Sequence, residues 1–327
     1  ASEKTIPDVL HFYPEVKHIR YPMGYHLMIA QSNSMAHTNF YHLVFYSGIV
    51  LLSSLPIFLF ILTRHLFDDK VGVLSAIISV GSVSPFKFVF LGMYPHLLGL
   101  LMHTIAILFL YLSLKDNRFL VLVGIALAAL LMTNPYPFLI TALLALCVYV
   151  FHSRDIKKAA FAISIAVIFS IPYIANLASI PIMQTDFYYK TYPFIDIFSP
   201  LNIKETVSSI TSYTNVLILV LGIISLRLLK DKVTFRIFAI WLILLGILFF
   251  KNILIYNFNI HDISLLFYTL PEKVLYTAFI PLLILTAYLV NRYLRETRIL
   301  IIFFVVFLAY PVLSLYNSDL ADYAYTS

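Results

Sequence analysis

Residues 94–114 read Tyr-Pro-His-Leu-Leu-Gly-Leu-Leu-Met-His-Thr-Ile-Ala-Ile-Leu-Phe-Leu-Tyr-Leu-Ser-Leu, a stretch with no formal charge that is closed by Lys115-Asp116-Asn117-Arg118. Roughly 20 apolar residues are what an α-helix needs to cross the hydrocarbon core of a bilayer. Further runs of this kind, bounded by charges or by Pro/Asn/Tyr clusters, occur at 40–63, 71–91, 119–133, 135–152, 157–180, 214–230, 234–250, 274–290 and 298–316. The 327 residues are 61% hydrophobic and 12% charged, with a mean hydropathy of +0.92. Soluble domains are roughly half apolar and about a quarter charged, so a water-soluble globule is excluded. The sequence predicts an all-α fold, a polytopic transmembrane helical bundle of about ten helices, several of them short, in the plasma membrane. The stretches 119–133 and 135–152 are expected to form a tilted pair meeting at Thr133-Asn134-Pro135-Tyr136-Pro137, because the prolines forbid an uninterrupted helix. The single Cys147 lies in an apolar run, which rules out a disulfide framework and a thiolate metal site.

Charge placement predicts sidedness. Assigning alternate connections to opposite faces puts Arg64 and Lys70, Lys115 and Arg118, Arg154 with Lys157 and Lys158, Arg227 with Lys230, Lys232 and Arg236, and Arg292 with Arg295 and Arg298 on one side. These are 14 of the 22 basic residues, in five short loops. Short basic loops are cytoplasmic by the positive-inside rule, so both termini are expected outside. The basic excess therefore tracks the membrane, and no nucleic-acid partner is expected. Within the first inner loop, Asp68-Asp69 reads as salt-bridged surface between Arg64 and Lys70.

The domain layout follows. Residues 1–39 form an external segment that is expected to come after a first helix missing from this chain, since they are polar, lack a signal-peptide pattern and yet lie outside. Residues 40–316 form the transmembrane domain, with external loops 181–213 and 251–273. Residues 317–327 form an external tail, expected to lead into a further outside domain.

The outer segments concentrate the polar residues, and long loops are uncommon unless functional. The first contains Pro7-Asp8-Val9-Leu10-His11-Phe12-Tyr13-Pro14-Glu15 and then Tyr21-Pro22-Met23-Gly24-Tyr25-His26. Asp8 and His11, three residues apart, would share a helix face, a spacing suited to a general base with a partner or to metal ligands; Asp8 as the cap of an interfacial helix fits equally. Gly92-Met93-Tyr94-Pro95-His96, the turn at 133–137 and Asn259-Ile260-His261-Asp262 are placed to line a cavity at the membrane boundary, although interfacial belts also hold tyrosines without a ligand. Lys273 opens a helix after Leu270-Pro271-Glu272. A cation there opposes the helix dipole, so an anion is expected nearby: Glu272, or the phosphate of a lipid held with the first free amides. His103, in mid-span, reads as an interhelical histidine with its hydrogen bonds satisfied. No Gly-rich phosphate loop, HExxH, GxSxG or paired CxxC pattern occurs.

Taken together, Asp8 with His11, the Tyr21-to-His26 element, Tyr94-Pro95-His96, Thr133-Asn134-Pro135 and Pro271-Glu272-Lys273 resemble the polytopic GT-C glycosyltransferases, with the nearest likeness to archaeal and bacterial members of uncertain substrate. The resemblance implies a catalytic acid in the first external loop, a polyprenyl-phosphate-linked sugar entering from the bilayer, and transfer to an external acceptor. Carried over by position, Asp8 is the base, with His11 and Glu15 as the other catalytic candidates. Tyr21, His26, Tyr94, His96, Asn134, His261 and Lys273 are the substrate-binding candidates, Lys273 replacing a family arginine near the donor phosphate. The family's second acid is replaced here by Leu10, and lysine lacks the bidentate geometry of arginine. A divalent metal, Mg²⁺ or Mn²⁺, is left open at Asp8. Two other readings stand beside the enzyme: a non-catalytic subunit or scaffold of the same fold in an envelope complex with protein partners, and a lipid or solute transporter.

Overall fold

In hydrocarbon every backbone N–H and C=O must be paired within the protein, which leaves a chain of this composition the helix as its ordinary element. The computed structural model describes residues 24–36, 40–82, 94–179, 216–257 and 271–293, and it is helical without a strand among them. The helices in chain order are α1 Gly24–Ala36, α2 Phe40–Leu66, α3 Asp69–Val80, α4 Tyr94–Ser113, α5 Phe119–Thr133, α6 Pro135–Phe151, α7 Ile156–Ser179, α8 Val216–Leu226, α9 Lys232–Asn257 and α10 Pro271–Tyr293. Among the described residues three stretches are long and apolar enough to cross a membrane: His42–Leu66, Tyr94–Ser113 and Ile156–Ala175. Phe119–Thr133, Tyr136–Phe151 and Thr277–Tyr293 are apolar but shorter.

Several boundaries differ from the sequence reading. The run 71–91 is not one span, because α3 stops at Val80, where the Gly81 N–H closes onto the Ile77 carbonyl at 3.2 Å. Twelve residues rise about 18 Å, well short of the bilayer core. The stretch 214–230 shortens to α8, which ends before Arg227. The predicted loop 251–273 loses its first residues to α9 and its last to α10. Helix α1 falls in the segment read as a loop; its polar Gln31-Ser32-Asn33-Ser34 hides an apolar face on which Tyr25 and Ile29 are buried one turn apart. The stretch 298–316, loop 181–213 and tail 317–327 lie outside the described residues.

Side-chain size on α7 shows which solvent the bundle meets. Its inward face carries Ala159, Ala162, Ala166 and Ser170, whereas Phe161, Val167, Ile168, Phe169 and Ile171 point outward and are exposed. Such a pattern is backwards for water but right for lipid, where helices attract each other by close backbone approach rather than by burying large apolar groups. Gly124 on α5 completes the contact: a Cβ there would lie 2.5 Å from the Ile165 Cβ and 2.8 Å from the Ala162 carbonyl oxygen. Helix α10 is the opposite case. Thr277 to Ala287 are buried without interruption, so this helix is apolar all round and central, packed on α3, α8 and α9.

Hydrogen bonds set the register of the core. Helices α4 and α6 run parallel and are bonded at three levels: His96 to Asn134 at 2.8 Å, His103 to Thr141 at 2.6 Å and Ser113 to Tyr149 at 2.6 Å, with offsets of 38, 38 and 36 residues. The far ends of α4 and α6 therefore coincide, bringing Lys115 and Arg118 beside Arg154, Lys157 and Lys158. The other basic connections join them. Phe67, after α2, packs on Tyr288 at 4.8 Å. Arg292 donates to the Leu228 carbonyl at 3.0 Å, and Asp231 lies within electrostatic reach of His152. Among the described residues, the first four basic connections and Arg292 at the end of α10 thus share one end of the bundle. At this basic end Arg64 bridges Asp69 at 2.6 Å in an exposed pair, and Asp68 caps α3 by accepting from the Val71 N–H at 2.8 Å, in keeping with a salt-bridged surface. Asp231 caps α9 likewise, accepting from the Thr234 N–H at 2.7 Å. The Thr234 hydroxyl and backbone N–H hold its carboxyl below the ordinary carboxylate range.

Two expectations follow. Gly→Ala normally gains about 1 kcal/mol in a helix. At Gly124 the new methyl meets backbone, and overpacking of about 1–3 kcal/mol outweighs that gain. Gly124→Ala should therefore lower the melting temperature in detergent, whereas Gly246→Ala, with nothing within 4 Å, should leave it unchanged or raise it; equal behaviour of the two variants contradicts the α5–α7 contact. For Asp231 the folded pKa is lowered, so its stabilisation is complete above the unfolded value of about 3.9 and is lost as pH falls through the lower folded value. Asp231→Asn, which keeps an acceptor but no titration, should reduce the loss of thermal stability below about pH 4, as read by melting curves across pH.

Candidate functional site

The end of the bundle opposite the basic loops is built around Asn134. Helix α5 ends at Thr133, Asn134 adopts an extended conformation (φ −157°, ψ 102°), and Pro135 starts α6 at a position where a missing N–H costs nothing. The Asn134 Oδ1 accepts from the Tyr136 N–H at 3.3 Å, which caps α6. This orients the amide, leaving Nδ2 to donate to His96 Nδ1 at 2.8 Å. An acceptor at Nδ1 means that His96 is a neutral imidazole with its proton on Nε2. The buried helix cap therefore sets the tautomer of the histidine.

Glycines let the backbones come this close. A Cβ at Gly99, one turn along α4 from His96, would sit 3.0 Å from the Asn134 Cβ. A Cβ at Gly48 of α2 would overlap the Tyr94 ring. Tyr94 stacks on the buried Tyr25 of α1, with ring centroids 5.9 Å apart. Since the Ser47 hydroxyl donates to the Val44 carbonyl at 2.7 Å, the Tyr25 hydroxyl donates to Ser47 Oγ at 2.8 Å. Four helices thus bring Tyr25, Ser47, Tyr94, His96 and Asn134 to one locus.

Of the residues singled out from sequence, the structure unites Tyr94, His96 and Asn134. His26 lies on α1 directly after Tyr25, and Lys273 lies in the first turn of α10, about 30 Å along that helix from its basic end at Tyr293. Asp8, His11, Glu15, Tyr21 and His261 lie outside the described residues. Sequence reasoning missed Tyr25 and Ser47. Tyr25 sits inside the flagged Tyr21-to-His26 element and was signalled by its spacing from Ile29; nothing in the local sequence marks Ser47.

The distribution of acids limits what this locus does alone. Asp68, Asp69, Asp116, Asp155 and Asp231 all belong to the connections at the basic end. At the opposite end the described helices supply aromatic faces, hydroxyls, an amide and a neutral imidazole, together with Glu272 at the start of α10. Among the described residues Glu272 is the one carboxylate that does not belong to the connections at the basic end. Among the described residues no three His, Cys, Asp or Glu side chains converge on a metal position. No family model, curated protein or solved structure matches the chain.

Asn134→Ala removes a cap and an interhelical bond together, and should destabilise the protein by roughly 1–2 kcal/mol. Asn134→Asp keeps the cap but offers His96 only acceptors, so Nδ1 should become protonated. Nitrogen chemical shifts of ¹⁵N-labelled histidine read this directly; an unchanged His96 tautomer in Asn134→Asp contradicts the assignment.

Proposed function

We propose that the chain is a membrane glycosyltransferase of GT-C type that takes a sugar from a polyprenyl-phosphate carrier at the end of the bundle opposite the basic loops, outside the cell. The observation that carries this reading is the convergence of Tyr94, His96 and Asn134, three residues of separate sequence elements, at the point where the segment bearing Asp8 joins the helices. The half-buried Tyr94 ring and His96 imidazole, held from behind by the buried Tyr25 and Asn134, suit a sugar, whose C–H faces pack on rings while its hydroxyls exchange hydrogen bonds. Basic loops at the other end, taken as cytoplasmic, make this end external. A GT-C-like fold with about ten membrane helices, several of them short, belongs to this proposal.

The chemistry needs little else. A lipid phosphate is already a leaving group, so transfer requires a carboxylate to take the acceptor's proton and a cation to hold the developing charge. Asp8 is the base in this reading. Lys273, with the unpaired amides of the first turn of α10, holds the phosphate. His96, kept neutral with Nδ1 engaged by Asn134, binds rather than abstracts a proton. His11, Glu15, Tyr21, His26 and His261 complete the proposed catalytic and substrate-binding set, and any divalent ion belongs at Asp8.

Asp8→Asn should reduce transfer from radiolabelled polyprenyl-phosphate hexoses by about 10²–10⁴-fold in membranes holding equal amounts of protein. Lys273→Ala should chiefly raise KM for the donor. Undiminished transfer by Asp8→Asn removes the mechanism. No transfer from any donor by the unaltered chain, combined with stable co-purifying partners, favours the scaffold reading in its place.

A further inference from the structure

One heptad below His96 on α4, a second histidine occupies the core. His103 is fully buried, and its Nδ1 lies 2.6 Å from Thr141 Oγ1. The Thr141 hydroxyl donates to the Pro137 carbonyl at 2.6 Å, so it accepts from His103, and the ring proton sits on Nδ1. Nε2 is then a bare acceptor, buried and without a hydrogen-bond partner among the described residues. The expectation of a satisfied interhelical histidine holds for only one of its two nitrogens.

Trp241 of α9 packs against that ring, with centroids 5.2 Å apart and planes at 70°. Its indole Nε1–H is also buried and also lacks a partner among the described residues. Phe238 stacks against the same indole at 5.9 Å, so this neighbour offers no polar group. Leaving either group unpaired away from water is unfavourable, because its desolvation is not offset. The two are opposite in kind, one a pure acceptor and one a pure donor, and they are carried by rings that pack against each other where α4, α6 and α9 come together.

The geometry points to a buried hydroxyl site between His103 and Trp241, filled by one O–H group that donates to His103 Nε2 and accepts from Trp241 Nε1–H. Water and a lipid or isoprenoid alcohol carry this same group. The site lies about 10 Å along α4 from His96, and its existence does not depend on the transferase reading.

Trp241 is the only tryptophan in the chain, so the indole signal reports on this position alone. The test uses the full chain in lipid nanodiscs with ¹⁵N-labelled Trp and His. The expected result is a hydrogen-bonded indole N–H resonance that cross-relaxes with a hydroxyl proton, together with an unprotonated, hydrogen-bonded His103 Nε2. His103→Leu should shift the indole resonance and move tryptophan emission to the blue. Should that variant fail to fold, Trp241→Phe serves in its place and should change the His103 Nε2 shift. A cross-peak at the water frequency identifies water as the occupant. A cross-peak lost on delipidation and restored by added farnesol identifies an alcohol. Direct N–H···N coupling between Trp241 and His103 overturns the proposal, as does an indole resonance without hydrogen-bond character or one that His103→Leu leaves unmoved.

Discussion

Everything at the candidate site depends on the register between α4 and α6. Helices surrounded by lipid gain little from burying apolar surface against each other, since lipid tails are as apolar as leucine, and sliding past one another is opposed mainly by close packing and by polar contacts. Here three side-chain pairs separated by nearly the same number of residues tie two parallel helices from one end to the other. A shift of one residue would turn each partner about 100° away from the other and break all three bonds, two of them between fully buried groups. The topmost pair is part of the site itself, so the bond that sets the register also sets the ring orientation and tautomer of His96.

The same parallel arrangement segregates charge. Because α4 and α6 point the same way, their following connections fall together, and the contacts of Phe67, Tyr288, Arg292 and Asp231 draw the remaining basic connections to that end. At the opposite end the described helices supply mainly aromatic and neutral polar groups, with Glu272 and Lys273 in the first turn of α10. A site that takes an anionic lipid carrier is better placed there than among exposed lysines that already face lipid headgroups, provided that a local cation, Lys273 in this reading, marks the productive position. In the proposed reading the helices hold the wall of the site and Asp8 supplies the acid chemistry.

Much of the helical layout was legible in the sequence, because uninterrupted apolar runs and their basic punctuation are one-dimensional signals. The break at Asn134 was visible for the same reason, as two prolines and an Asn cap leave few alternatives. The shortness of α3 was not, since Val80-Gly81-Ser82 is apolar or small enough to continue a hydropathy run although the glycine ends the helix. Helix α1 was hidden by its polar face. At the site, Tyr94, His96 and Asn134 were found as turn-flanking polar residues, but their bond spans 38 positions and left no local trace. Tyr25 and Ser47 matter through a neighbour on another helix, which no spacing along one helix reports. Glycines 48, 99 and 124 likewise have meaning only through what their missing side chains would strike.

The ladder also bears on the transport reading. A transporter of protons or ions needs polar groups that hand over a ligand step by step through the membrane interior, commonly including acids in mid-span. The rungs on α4 are seven and ten residues apart, about 10 and 15 Å along the axis, far beyond hydrogen-bond reach. Between them lie the buried Leu97, Leu98, Leu100 and Leu101, then Ala106, Ile107, Leu108 and Leu110. No rung therefore reaches the next by a direct hydrogen bond. Such spacing suits a latch that holds two helices in place, and it makes no path among the described residues. The polar groups of α4 are best understood as fixing the register of α4 against α6.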